Sequence, residues 1–275
     1  MMTLKVDGCL LLAGAGNMGA ALLAGWLDRG LDPRAVLIQD PSPPTASRAL
    51  LERFHLAASP ILEAQPKAPA VIVVAVKPQV MDQVFPALAR HAGPQTVVLS
   101  IAAGRTLAGF ERHLAPRAAV VRAMPNTPAA IARGITVAVP NAHVTPAQRQ
   151  LCDALLRAVG EVEWVAEEGL LDPVTAVSGS GPAYVFHLTE CLAAAGVKAG
   201  LDPDLAMKLA RHTVSGAGEL ITRSGAPPSA LRESVTSPNG TTFAALEVLM
   251  GKDGLAQLMT AAVDAATRRS RELAK

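Results

Sequence analysis

The first half of the chain alternates continuous apolar runs with segments of helical periodicity. The runs are rich in Val, Ile, Leu and Ala and lack in-and-out alternation, which is typical of parallel strands covered on both faces. Strands are predicted over residues 9–13, 35–38, 70–76, 96–101, 119–124, 134–139 and 161–165. This pattern predicts an α/β fold built on a doubly wound sheet.

Helical periodicity dominates after residue 166, and no further run of β-branched residues follows. Helices are predicted there over residues 170–177, 182–199, 203–223, 228–234, 241–251 and 254–273. The change of pattern predicts two domains, an α/β domain over residues 1–165 and an all-helical domain over residues 166–275. Because no low-complexity linker separates them, the two domains are expected to pack directly.

A glycine-rich turn joins the first predicted strand to the first predicted helix. Gly14 permits the tight turn, Gly16 has no side chain to block a pyrophosphate, and Gly19 lets the helix lie close to the strand. The free N–H groups and the positive dipole end of the helix then face the phosphates. This context predicts a dinucleotide-binding, Rossmann-type domain in which the turn of Gly14, Ala15, Gly16 and Gly19 binds the cofactor.

The residues after the second predicted strand bear on the choice of coenzyme. Asp40 stands where the acid that binds the adenosine ribose of NAD is usually found, and its carboxylate would repel a 2′-phosphate. Four residues at the start of the next helix offer groups that bind such a phosphate: Ser42, Thr45, Ser47 and Arg48. Asp40 also suits a simple turn. The balance favours NADH, and NADPH remains the alternative.

Three more predicted strands end in small or polar residues. The carboxyl ends of strands line the cofactor crevice of a doubly wound sheet, and a small side chain there lets a flat nicotinamide lie against the backbone. Candidates for cofactor contact at these ends are Ala75, Val76, Lys77, Pro78, Ala102 and Asn126. Ordinary turn chemistry is the alternative for any one of them alone.

Composition and charge narrow the functional classes. The net charge is +2 and no block of Lys or Arg is present, so neither nucleic acid nor an anionic membrane is expected as a partner. No apolar run approaches the roughly 18 residues of a membrane span, and no signal-like segment opens the sequence, which favours the cytoplasm. The three cysteines form no C-x-x-C pair and are interpreted as small buried hydrophobes, so no metal site is expected.

Two loops in the helical half place small residues just before a helix, over residues 177–184 and 236–242. In the second loop, the N–H groups of Gly240, Thr241 and Thr242, together with the two hydroxyls, form a site suited to a carboxylate. From spacing alone, the alternative is that both loops are helix caps and nothing more.

Six motifs resemble, in order and spacing, those of the pyrroline-5-carboxylate reductase family. They are GAGNMG (14–19), AVKP (75–78), SIAAG (100–104), MPNTP (124–128), VSGSGPAY (177–184) and SPNGTT (237–242). Together they cover essentially the whole chain. The last two are specific to this family, whereas the first is shared with many dehydrogenases.

The resemblance implies reduction of 1-pyrroline-5-carboxylate to L-proline by NADH or NADPH, the final step of proline synthesis. It also implies an N-terminal Rossmann domain and a helical C-terminal dimerisation domain that interleaves with a partner subunit. A homodimer, and further assembly of such dimers into decamers, follows from the same resemblance.

The resemblance also assigns cofactor contacts by position. It implies that Asn17 and Met18 contact the phosphates and that Ser42 contacts the adenosine end. The ribose and nicotinamide side is assigned to Ala75, Lys77, Pro78 and Ala102.

On the substrate side, the resemblance places the substrate in the loop that begins at Ser237. It implies that Thr242 hydrogen-bonds the ring nitrogen and that the backbone of Gly240 and Thr241 holds the carboxylate. The family usually has Gly-Gly where this chain has Asn239 and Gly240. Asn is the non-glycine residue that best tolerates positive φ, so the loop shape is expected to survive.

The absence of a lysine early in the long helix of the helical half also fits an imine substrate. Ketone reduction needs a strong acid for the forming alkoxide, and related hydroxyacid dehydrogenases place a lysine on the long helix for this purpose. Here no lysine occurs in that helix before Lys198, and His187 is interpreted as a packed core or interface residue. An imine nitrogen can be protonated before hydride arrives, so orientation and a hydrogen bond from Thr242 suffice.

Two other functions are compatible with this scaffold. One is another imine reductase or a hydroxyacid reductase, and the other is a non-catalytic regulator that binds a dinucleotide. A regulator is expected to have lost the loop at residues 237–242, which is almost intact here.

Overall fold

The computed structural model describes residues 3–63 and 65–274. This part of the chain divides into two compact units. The first comprises the residues up to Gly179 together with those from Ala266 onward, and the second comprises Ser180–Ala265. The division follows packing, and the predicted domain boundary near residue 165 stays a prediction.

The first unit contains eight strands: β1 (Leu10–Ala13), β2 (Val36–Gln39), β3 (Ala58–Ser59), β4 (Val71–Val74), β5 (Val97–Ser100), β6 (Ala119–Met124), β7 (Gly134–Pro140) and β8 (Gly160–Trp164). They form one sheet in the order β3-β2-β1-β4-β5-β6-β7-β8. Every pairing is parallel except that between β6 and β7. This topology confirms the predicted doubly wound α/β fold.

The central strands are buried on both faces, as their continuous apolar sequences predict. All residues of β1, β4 and β5 are buried. β4 ends at Val74, two residues before its predicted end, so Ala75 and Val76 lie in the following loop. The chain order changes direction between β1 and β4, which is where the ligand crevice of this type of sheet lies.

Among the described residues of this unit, six α-helices accompany the strands: α1 (Asn17–Asp28), α2 (Thr45–Arg53), α3 (Met81–Ala89), α4 (Leu107–Glu111), α5 (Pro146–Leu156) and α6 (Leu171–Val174). The helix predicted over residues 170–177 is therefore short, and it continues as a π-helical turn over Thr175–Gly179. The hydroxyls of Thr175 and Ser178 donate to main-chain carbonyls four residues earlier. Such bonds compete with the regular helical ladder and account for the change.

Both tryptophans pack against α5. Trp26 of α1 is fully buried, and its indole N–H donates to the carbonyl of Leu155 at 2.9 Å. The indole N–H of Trp164 donates to Asp153 at 2.9 Å, and the guanidinium of Arg149 lies 4.7 Å from the ring centroid. These contacts hold α5 against α1 and β8.

The later part of the chain is helical, as predicted, with α7 (Gly181–Lys198), α8 (Pro203–Ser224), α9 (Pro228–Ser234), α10 (Thr241–Leu249) and α11 (Leu255–Leu273). Asp202 caps α8 by accepting the N–H groups of Asp204 and Leu205. Gly225 ends the same helix with a φ of +65°. Among the described residues, no helix is both long and apolar enough to cross a membrane.

Candidate functional site

The glycine turn after β1 has the tight geometry that its sequence predicts. Gly14 has a φ of +93°, and a Cβ at this position would lie 2.7 Å from the carbonyl oxygen of Ala75. A Cβ on Gly19 would overlap the carbonyl oxygen of Gly14. Both positions therefore require glycine so that α1 can approach β1 and β4.

Gly16 is different, because nothing in the structure lies within 4 Å of a Cβ built on it. Its backbone has φ −68° and ψ −170°, a conformation open to any residue, so the glycine is not required by the fold. The residue stands at the N-cap of α1, where the first N–H groups of the helix lack intrahelical acceptors. This open space beside a helix N-terminus fits a dinucleotide pyrophosphate.

Ala15, at the centre of the turn, is fixed by two side chains from the region after β2. Its N–H donates to Asp40 Oδ2 at 2.7 Å, and its carbonyl accepts the hydroxyl of Ser47 at 2.6 Å. Asp40 Oδ1 also accepts the N–H of Ser42 at 2.8 Å. The carboxylate of Asp40 thus stabilises the turn from the side where an adenosine ribose would bind.

This geometry corrects the interpretation of Ser47 as a phosphate ligand. Ser47 is only 3% exposed and donates its hydroxyl proton to the turn. Ser42, Thr45 and Arg48 are exposed. These three side chains stay candidates for contact with the adenosine end.

The loops after β4 and β5 lie at the same edge of the sheet as the glycine turn, because the three strands are parallel. Ala75 continues the pairing by donating its N–H to Ala13 at 2.8 Å. Val76 and Pro78 are partly exposed, and Lys77 is exposed. Ala102 is buried, and its N–H donates to Ser100 Oγ at 3.2 Å.

The motif at the end of β6 is braced by neighbouring elements. Asn126 Oδ1 accepts the N–H of Ile135 at the start of β7, at 3.0 Å. A Cβ on Gly179 would lie 2.6 Å from the terminal methyl of Met124, so this glycine permits the close approach of the two motifs. The described contacts thus give Asn126 a structural role, and its contact with a cofactor stays a prediction.

The second unit holds the predicted substrate loop. Asn239 has a φ of +59°, the left-handed conformation that Asn tolerates better than other non-glycine residues. A Cβ on Gly240 would collide with Ser237 Oγ, so this glycine allows the tight turn into α10. Thr242 is partly buried in the first turn of α10, and Thr241 is exposed.

One prediction for this loop is wrong. The N–H of Gly240 is not free, since it donates to the carbonyl of Ser237 at 3.1 Å and closes the turn. The helix leaves the N–H groups of Thr241 and Thr242 without intrahelical acceptors. A carboxylate at this N-terminus would therefore be bound by Thr241 and Thr242, with Gly240 shaping the turn.

The prediction of buried cysteines is confirmed for Cys152 and wrong for Cys191, and the exposure of His187 excludes a core position and leaves its place at an interface a prediction. Within the described chain only Cys152 is buried, and burial raises the pKa of its thiol to about 12. Cys191 is exposed, and so is His187, whose Nδ1 lies 3.1 Å from Glu190. Over residues 3–63 and 65–274, no three His, Cys, Asp or Glu side chains are grouped so that they could hold a metal ion.

Comparison with known proteins identifies both parts of the chain. Residues 168–273 match the family described as pyrroline-5-carboxylate reductase dimerisation. Residues 10–104 match the family described as NADP oxidoreductase coenzyme F420-dependent. The pyrroline-5-carboxylate reductase of Pseudomonas aeruginosa is 40% identical over 265 residues, which cover 95% of each chain. The chain belongs to the pyrroline-5-carboxylate reductase family.

Other members of the pyrroline-5-carboxylate reductase family agree in sequence and in fold. The Synechocystis enzyme is 41% identical over 96% of this chain and 97% of its own. The Coxiella burnetii reductase structure superposes with a TM-score of 0.87 at 32% identity, covering 98% of this chain and 99% of that one. The Plasmodium falciparum enzyme, solved with NADP bound, gives a TM-score of 0.81 at 26% identity over the full length of both chains.

Proposed function

We propose that this chain catalyses the reduction of 1-pyrroline-5-carboxylate to L-proline with NADH or NADPH. The observation that carries the proposal is the match to pyrroline-5-carboxylate reductases over 95% of the chain, at 40% identity. Each unit, taken by itself, also has a feature that supports the proposal. One unit offers a glycine turn with space for a pyrophosphate, and the other offers a helix N-terminus suited to a small carboxylate.

The first unit binds and orients the dinucleotide in this proposal. The N-terminus of α1 and the open space at Gly16 receive the pyrophosphate, while the loops after β4 and β5 face the ribose and nicotinamide. A bound nicotinamide dinucleotide supplies the hydride. The side chains that line these loops include no general acid apart from exposed Lys77.

The second unit binds the imine. The N–H groups of Thr241 and Thr242 hold the carboxylate at the positive end of α10. The hydroxyl of Thr242 hydrogen-bonds the ring nitrogen and orients the imine carbon. Because the product is an amine rather than an alkoxide, the site needs no strong acid beside the reacting carbon.

The proposal is tested by the loss of NADH or NADPH absorbance when 1-pyrroline-5-carboxylate is added to the purified protein. Formation of proline in an amount equal to the coenzyme oxidised is the expected result. Oxidation of β-hydroxyacids by NAD+ or NADP+, without turnover of pyrroline-5-carboxylate, would assign the chain to hydroxyacid chemistry instead. Binding of coenzyme with no turnover of either substrate would support a regulator.

For the coenzyme we propose a preference for NADH. Two main-chain N–H groups hold the carboxylate of Asp40 in place, and each of its oxygens keeps a lone pair for a ribose hydroxyl. This fixed negative charge opposes a 2′-phosphate. The side chains of Ser42, Thr45 and Arg48 instead favour binding of the 2′-phosphate of NADPH. Arg48, however, already donates its Nε–H to the carbonyl of Pro43.

Replacing Asp40 with alanine is expected to raise the ratio of kcat/KM for NADPH to kcat/KM for NADH by about tenfold, which corresponds to about 1.4 kcal/mol. The ratio is the proper measurement, because loss of the bond to Ala15 weakens binding of both coenzymes. Asp28→Ala, at an exposed position at the end of α1, is the control and leaves the ratio unchanged. An unchanged ratio in Asp40→Ala would exclude Asp40 as the selecting residue.

For the assembly we propose a homodimer that associates further into decamers. The segment matched by the dimerisation family carries large apolar side chains that are exposed in the single chain, including Phe186 (63%) and Leu258 (65%). Such a concentration of exposed apolar area is typical of a subunit interface. A cytoplasmic location stays a prediction from the sequence.

Light scattering tests the assembly. The wild-type protein is expected to have at least twice the 28.3 kDa mass of one chain, and Leu258→Glu is expected to shift it towards a single chain. Ile61→Glu introduces the same charge at a side chain that is 79% exposed in the first unit, and it serves as the matched control. A monomeric wild-type protein would contradict the proposal.

A further inference from the structure

Arg105 connects two loops that line the proposed cofactor site. It follows the SIAAG motif in the loop between β5 and α4, and its guanidinium lies against the first turn of α3. Nη1 and Nη2 donate to the two carboxylate oxygens of Asp82 at 2.7 Å and 2.9 Å. Nη2 also donates to the main-chain carbonyl of Pro78 at 2.9 Å.

The planar guanidinium donates two parallel hydrogen bonds to one carboxylate, and a lysine ammonium cannot reproduce this geometry. The carbonyl of Pro78 belongs to the loop after β4, which carries Ala75, Val76 and Lys77. The Arg105 side chain is only 21% exposed, whereas that of Asp82 is 73% exposed. The hydrogen bond from Arg105 is the main reason that the pKa of Asp82 lies below its usual value.

Other residues of the loop that carries Arg105 also contact neighbouring segments. Gly104 has a φ of +69°, and a Cβ there would lie 3.1 Å from the carbonyl oxygen of Leu273. The N–H of Ile101 donates to the carbonyl of Val74 at 3.0 Å, at the start of the neighbouring loop. Of these contacts, the hydrogen bonds of Arg105 are the ones that join the loop after β5 to Pro78, at the end of the loop after β4, and to Asp82 in α3.

We propose that Arg105 is a positioning residue for coenzyme binding, which fixes the loop after β4 against the loop after β5 through Asp82 and the carbonyl of Pro78. This inference rests on the proposed function in one respect, namely that the coenzyme binds between these loops. The carboxylate of this ion pair is 73% exposed, and a pair open to solvent on one side contributes little to folding stability, so we expect its removal to affect coenzyme binding more than the fold. Pre-organised loops bind more tightly because less ordering accompanies binding.

The test measures the dissociation constants of NADH and NADPH, together with coenzyme KM and kcat, in Arg105→Met, Asp82→Asn and the double variant. Each single variant is expected to raise the dissociation constant and the coenzyme KM about fivefold, with kcat at saturation within about twofold of wild type. The double variant is expected to bind coenzyme no more weakly than Arg105→Met alone, because removal of Arg105 already removes its bonds to Asp82 and to the Pro78 carbonyl. Arg105→Lys is expected to recover only part of the affinity.

Arg34→Met is the matched control. Arg34 also forms a fork with an aspartate, Asp32, at 2.7–3.1 Å, but it lies outside the cofactor loops. This variant is expected to leave coenzyme binding unchanged. A melting temperature measured for every variant separates loss of binding from loss of folding.

Two results would overturn the inference. The first is coenzyme binding in Arg105→Met equal to that of wild type. The second is weaker binding in Arg105→Met with unchanged or tighter binding in Asp82→Asn, which would show that the bond to Asp82 does not hold the loop in its binding conformation. Failure of the proposed function would look different, because the wild-type protein would then bind coenzyme without reducing pyrroline-5-carboxylate.

Discussion

Replacing Thr242 with alanine is expected to lower kcat/KM for pyrroline-5-carboxylate by about 100-fold, the loss typical of removing one hydrogen-bond partner of a reacting group. The side chain stands in the first turn of α10, beside the N–H groups that would hold the carboxylate. Without the hydroxyl, the ring nitrogen loses its partner and the imine carbon loses its orientation. Steady-state kinetics with saturating coenzyme measure the effect.

Two variants control for a general disturbance of the second unit. Thr242→Ser keeps the hydroxyl and is expected to recover most of the activity. Thr260→Ala removes a hydroxyl that bonds only to the carbonyl of Ala256 on α11, among the contacts described, and is expected to behave like wild type. Equal rates for wild type and Thr242→Ala would remove Thr242 from the mechanism and leave the carboxylate site to be tested separately.

Replacing Gly16 with valine is expected to weaken dinucleotide binding by at least about tenfold while lowering the melting temperature less than Gly14→Ala does. The backbone at Gly16 suits any residue and nothing lies within 4 Å of its Cβ position, so the fold has room for a Cβ there. The added methyl groups fill the space that fits the pyrophosphate. Titration with NADH and a thermal melt give the two measurements.

Gly14→Ala provides the contrast, because it is expected to destabilise the fold itself. Its φ of +93° and the 2.7 Å approach to the Ala75 carbonyl give a steric cost of about 1–3 kcal/mol. Gly216→Ala in α8, where a Cβ meets nothing within 4 Å, is the control and is expected to raise the stability by up to about 1 kcal/mol. Wild-type affinity in Gly16→Val would show that the pyrophosphate does not approach this turn.

The sequence was sufficient to predict the features that local chemistry determines. Continuous β-branched runs mark the buried strands, and a Gly-x-Gly-x-x-Gly turn between strand and helix marks the cofactor end of the sheet. Asn239 has the positive φ that the glycine usual at this position in the family implies and that Asn tolerates. In each case the cause lies within a few residues of the feature.

Contacts between distant segments could not be predicted in this way. Ser47 resembles a phosphate ligand until its hydroxyl is seen to donate to Ala15, 32 residues away. Arg105 lies next to a recognised motif, but its partner Asp82 belongs to another helix. One local contact was missed as well: the N–H of Gly240 donates to the carbonyl of Ser237, three residues earlier, in a turn whose backbone angles the residue types do not specify.

The packing of Trp26 and Trp164 on α5 has a practical consequence for spectroscopy. The chain has two tryptophans, and both lie in the unit that carries the glycine turn. Indole fluorescence therefore reports the melting of that unit alone, and it does not report unfolding of the helices over residues 180–265. Loss of helical circular dichroism at a temperature where this emission is unchanged would reveal that the two units unfold separately.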